Sequence, residues 1–111
     1  GQSRFILIKL ASFENAFAGM LNWEKTMAPE IGPLFGSAPL LTNIDSSSVF
    51  KDIVAKNKDV RVLSAPITAG STSTQLVLLY SFFDNQILII TDSLASLQIL
   101  IDRLTAELLV H

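Results

Sequence analysis

The chain has no cysteine, and its one histidine is the final residue, His111. Thiolates and imidazoles dominate transition-metal binding and nucleophile-plus-base catalysis, so their near-total absence removes whole classes of chemistry and leaves no metal or cofactor motif. It also excludes a disulfide framework, while leaving both redox compartments open. Charge is scarce: eight Lys and Arg stand against ten Asp and Glu. Nothing resembles the basic footprint needed for a phosphate backbone or an anionic membrane, and nucleic acid is not an expected partner. Long hydrophobic runs are missing too. Phe5 to Ile8, Leu76 to Tyr80 and Ile87 to Ile90 fall far below the roughly 20 residues that span a bilayer, so this segment is not expected to insert into a membrane itself. No charged n-region followed by an apolar h-region opens the chain.

What is present is a large apolar fraction, 50% of 111 residues. That length suits one domain, residues 1–111, with a sizeable core. The opening Gly-Gln-Ser, in place of Met, suggests a piece of a longer protein.

Arg4 to Ala11 is short, apolar and rich in isoleucine, which predicts a strand covered on at least one face. Ser12 then reads as a helix N-cap, with Glu14 in the first turn where the helix dipole favours an anion. Phe13, Ala16, Phe17, Met20, Leu21 and Met27 recur at three- and four-residue spacing behind it. Pro29 must end or kink that helix, and a further turn or two through Ile31, Leu34 and Phe35 is compatible with the pattern. From Gly36 to Ser48 the composition is that of a loop. The serines before Val49 suit a cap for a short helix carrying Phe50, Ile53 and Val54, although Phe50 to Lys56 also reads as extended. Val60 to Ala65 predicts a strand and Pro66 to Thr74 an exposed loop. Two apolar runs, Gln75 to Phe83 and Gln86 to Thr91, flank Asp84-Asn85, a dipeptide that tolerates the positive φ angles of a tight hairpin turn. Asp92 or Ser93 then caps a helix with Leu94, Leu97, Ile101, Leu104 and Leu108 on one stripe.

The expected fold is α+β, in the order β-α-(short α)-β-β-β-α, with an antiparallel sheet of about four strands and helices mainly on one face. The hairpin strands are apolar on both sides: Leu76, Leu78, Tyr80 and Phe82 alternate with Val77, Leu79 and Phe83. A sheet face left in water does not look like that. Helices, another part of the protein or a second copy must cover it.

Polar residues at apolar positions are the candidates for function. Glu24 falls on the stripe of the first helix, seven residues after Phe17 and three before Met27. A buried carboxylate there needs a partner or a raised pKa. Asn57, Asp59 and Arg61 alternate, so in an extended run they share a face. Arg61 is therefore expected to pair with Glu24 or Asp59, as a polar clamp between helix and sheet. Glu24 with Asp52 or Asp59 is the carboxylate pair that a glycoside-hydrolysing site would use, but ten acidic residues make any single pair weakly specified. Gly32-Pro33 and Gly36 are not followed by the Lys-Ser/Thr of a phosphate loop. Trp23 lies off the centre of the helical stripe, and flanks the core or contacts a partner. Ser71 to Thr74 reads as a solvated loop tip.

Several stretches carry a resemblance. Arg4 to Lys9, then Ser12 to Glu24 with its Ala16-Phe17-Ala18-Gly19-Met20-Leu21-Asn22-Trp23-Glu24 core, then Phe50-Lys51-Asp52, Asn57 to Leu63 and Leu78 to Phe82 together resemble an uncharacterised domain of predicted single-pass membrane proteins from candidate-phyla bacteria. The likeness runs over nearly the whole chain. In that family the domain resembles the soluble C-terminal end of an anchored protein, which implies an extracytoplasmic position, with the anchor in a segment absent from this chain. No activity, cofactor or catalytic residue comes with it. Pro66 to Thr74 is longer than the tight turn the family implies.

Two functions are compatible with these residues. The first is a non-enzymatic interaction or scaffold domain that binds a protein partner or a copy of itself, and it predicts exposed apolar surface or dimers. The alternative is a small-ligand-binding or hydrolytic module using Glu24, Asp59 and Arg61, which requires a cleft beside them.

Overall fold

The computed structural model describes residues 4–35, 38–44, 48–68 and 70–110. His111, Gly36, two of the serines before Val49 and the side chain of Leu108 lie outside the described residues.

The chain is α+β, with β1 (Phe5–Lys9), α1 (Phe13–Trp23), α2 (Met27–Ile31), two 3-10 turns (Gly32–Leu34 and Ala38–Asn43), β2 (Lys51–Ala55), β3 (Lys58–Pro66), β4 (Thr74–Phe82), β5 (Ile87–Thr91) and α3 (Leu94–Val110). The sheet has five antiparallel strands in the order β1-β5-β4-β3-β2, one more than the four expected. The added strand is the segment that read as either helix or strand. Lys51 to Ala55 is extended because Lys56 and Asn57 both take positive φ, 52° and 61°, the geometry of a two-residue hairpin turn matched to the sheet twist. The positive-φ pair thus sits at Lys56-Asn57. Among the described residues Asp84 and Asn85 keep negative φ, and that hairpin closes by side-chain capping instead. Asp84 Oδ1 accepts from the amides of Gln86 at 2.8 Å and Ile87 at 2.9 Å.

Ser12 caps α1 as its sequence implies, in extended geometry and with Oγ accepting from the Asn15 amide at 3.4 Å. The helix ends at Trp23, ahead of Pro29, and Met27 begins a new one. Pro29 is the third residue of α2, where the first-turn amides have no intrahelical acceptor and its missing N–H costs nothing.

Helices were expected mainly on one face, but the two faces are covered by different helices. Leu78, Tyr80, Leu88 and Ile90 pack with Met20 of α1 and Met27 of α2. Leu79 and Ile89 pack on the other side with Leu97 and Ile101 of α3. Strand alternation sends successive residues of β5 into opposite clusters. This accounts for hairpin strands that are apolar on both sides. In the β3–β4 ladder Leu63 pairs with Leu78 and Ser64 with Leu76, so Val77 is an extra residue on β4. This bulge turns Val77 and Leu78 into the same cluster and flips the alternation beyond it.

Candidate functional site

The C-terminal end of α1 comes down on the middle of the sheet, and the polar candidates meet there. Glu24 is the C-cap of α1. Antiparallel pairing sets Arg61 opposite Asp52 on one side and opposite Tyr80 on the other. Arg61 donates through Nε and Nη2 to the two Glu24 oxygens, at 2.8 and 2.7 Å, and through Nη1 to Asp52 at 2.9 Å. Tyr80 donates its hydroxyl to Glu24 at 2.5 Å. The side-chain exposures, 12% for Glu24, 25% for Arg61 and 77% for Asp52, rank the three. The forked Arg–Glu pair is shielded, and the outer carboxylate stands in solvent.

Arg61 therefore bridges Glu24 and Asp52, while Asp59, the other expected partner, is not bonded to it. Asp59 and Arg61 do share a face of β3, but Asp59 is exposed and interacts with Ser81 through its backbone carbonyl. Asn57 lies in the preceding turn. Sequence spacing missed Tyr80 as a member of the cluster, and it set Asp52 beside Glu24 only as a carboxylate pair, not as a partner of Arg61. Tyr80 read as one apolar residue in an apolar strand, and only the register across β3 puts its hydroxyl beside Glu24. Electrostatics follow from the contacts: hydrogen bonding to Glu24 and then Asp52 raises the Arg61 pKa further above its usual range, against the opposing effect of burial. Burial, followed by the bond to Glu24, raises that of the Tyr80 phenol. Both groups are held in their protonated forms.

Trp23 is half-buried against the α1–α2 side of the core and donates its indole N–H to Glu30, which also accepts from Thr26 Oγ1 at 2.9 Å. It braces the junction between the two helices.

Beside the cluster opens a cleft of about 720 Å³. One wall is the exposed side of α1, with Phe13, Phe17 and Leu21 at 37%, 43% and 39% exposure. The other runs along β3, β4 and the 83–85 turn, where Phe82 meets Phe13 edge-on at 4.9 Å and Phe17 at 5.9 Å between ring centroids. Asp52, Asp59 and Arg61 line its polar end. Glu24, both of whose oxygens already accept from Arg61 and one of which also accepts from Tyr80, is built into the wall and has no place among the lining residues.

Chemically this arrangement holds a helix end to a sheet and leaves an apolar cleft with a charged rim. Among the described residues no three His, Cys, Asp or Glu side chains gather to hold a metal ion, and no helix is long and apolar enough to cross a membrane. No protein family, curated protein or solved structure matches the chain.

Proposed function

We propose that this chain is a non-enzymatic interaction domain of a surface-anchored bacterial protein, and that the cleft between α1 and the sheet is its binding face. The observation that carries the reading is the exposure of Phe13, Phe17 and Leu21 along one side of α1. An amphipathic helix normally turns such residues into the core, and here they line an open cleft with Phe82 at its base. Exposed aromatic clusters beside polar groups are the usual anchors of protein recognition. The extracytoplasmic, membrane-anchored position rests on the resemblance of the Ser12 to Glu24 stretch and its companions.

The hydrolytic alternative has the cleft it requires, but its leading carboxylate serves a different purpose. A general acid or base must reach substrate, and Glu24, with 12% side-chain exposure, is engaged by Arg61 and Tyr80 behind the cleft wall and does not line the cleft.

Amide hydrogen exchange compares the isolated chain with the full parent protein in its membrane. The reading expects slower exchange at residues 13–21 and 81–85 in the parent assembly. Equal rates in both would contradict it.

A further inference from the structure

The charges around the cleft are unequal in number and in availability. Asp52, Asp59 and Asp84 line it, and Glu24 lies directly behind, against two cations, Arg61 and Lys58. Both cations are held by protein contacts, and even at full charge they are outnumbered four to two by the carboxylates. Arg61 is shared between Glu24 and Asp52, and Lys58 Nζ donates to the Phe83 carbonyl at 2.7 Å and sits 4.8 Å from the Phe83 ring centroid. Among the described residues neither Asp59 nor Asp84 is in an ion pair. Lys56, the other nearby cation, is bound to Asp102 at 3.3 Å. The rim therefore presents negative charge to an occupant. The base presents aromatic rings, whose faces also attract cations.

Resting on the interaction reading above, we infer that the cleft takes a peptide segment in which basic side chains flank an apolar anchor. The anchor packs against Phe17 and Phe82, and a Lys or Arg beside it reaches Asp59. An acidic segment would meet uncompensated carboxylates and lose that contact, so the discrimination comes from repulsion as well as attraction. Opposite charge at an exposed rim chiefly sets specificity and salt dependence, while the cleft's rings, covered only on binding, supply affinity.

The test uses the folded chain, ¹⁵N-labelled, titrated separately with acetyl-Leu-Lys-Phe-Lys-Leu-amide and acetyl-Leu-Glu-Phe-Glu-Leu-amide. The expected result is that the lysine peptide shifts amides in 57–61 and 81–85 and binds about tenfold more tightly than the glutamate peptide, with the difference shrinking as salt rises from 50 to 500 mM. Asp59→Asn should reduce binding of the lysine peptide several-fold and leave the glutamate peptide no worse. Asp59 is exposed and forms no side-chain bond that the fold needs. Phe17→Ala should weaken both peptides. If both bind the cleft equally and Asp59→Asn changes neither, the basic preference is wrong and the interaction reading stands. If neither shifts a cleft amide and Phe17→Ala has no effect, the cleft is not a docking site for such peptides and both readings fall.

Discussion

Replacing Glu24 with Gln preserves the side chain's volume and removes its charge, which isolates what the carboxylate does. In the native fold it accepts three hydrogen bonds, two from Arg61 and one from Tyr80. Bonds to a charged group contribute about 1.5–3 kcal/mol each when shielded. Gln retains one carbonyl acceptor and turns an N–H₂ group toward donors that already fill the site. The pair is largely but not fully enclosed, at 12% and 25% side-chain exposure, so the loss belongs near the lower end, about 2 kcal/mol. Arg61→Met should cost about 3 kcal/mol, because it leaves a mostly buried carboxylate supported by Tyr80 alone. Asp52→Asn is the internal control: at 77% exposure it should change stability by less than about 0.5 kcal/mol. For a domain of this size 2 kcal/mol corresponds to roughly 8 °C in Tm. Urea unfolding followed by the fluorescence of Trp23, the one tryptophan, gives these numbers. The double variant Glu24→Gln/Arg61→Met should fall short of additivity by about 2 kcal/mol. Single variants that each cost under about 0.5 kcal/mol and simply add would refute the clamp.

Covering of the second sheet face by α3 is tested by two alanines on that helix. Leu97→Ala, at a fully buried position, should cost about 2–5 kcal/mol, whereas Ile99→Ala, 53% exposed, should stay within about 0.5 kcal/mol, both read by thermal unfolding. In the β2–β3 turn, Asn57→Val places a β-branched residue at φ 61° and should cost about 1–2 kcal/mol. Asn57→Gly at the same position should be neutral or slightly stabilising in the same assay.

Much of the architecture was legible in residue order. The cap at Ser12, the apolar stripe behind it and the hairpin about Asp84-Asn85 are local signals, because each depends on residues only a few positions apart. The β2 strand was ambiguous for the same reason. Phe50 to Lys56 carries no decisive periodicity of its own, and its extended form is set by the turn at Lys56-Asn57 and by pairing with β3. Helix placement on both faces follows from β5 sending Leu88 and Ile90 one way and Ile89 the other, a consequence visible only once the sheet's neighbours are known. At the site, Glu24 was legible as a polar residue on an apolar stripe and Arg61 as a cation on a strand. Tyr80 was not, since an aromatic residue in a β-strand gives no sign of what its hydroxyl faces. Asp52 became a partner of Arg61 through cross-strand register, and the exposed rings of Phe13 and Phe17 occupy stripe positions that resemble core positions.

The polar residues at the end of α1 form a structural clamp, and Tyr80, the only tyrosine, reports on it directly. An unfolded tyrosine ionises near pH 10, whereas burial and the bond to Glu24 keep the native phenol protonated to higher pH. Above pH 10 the unfolded chain then binds fewer protons than the folded one, so this stabilisation is full below pH 10 and fades as pH rises toward the native pKa. Phenolate absorbance at 295 nm, recorded alongside circular dichroism, should stay flat through pH 10 while the fold persists, and rise at higher pH together with unfolding. A reversible rise centred near pH 10 with the dichroism unchanged would contradict the account.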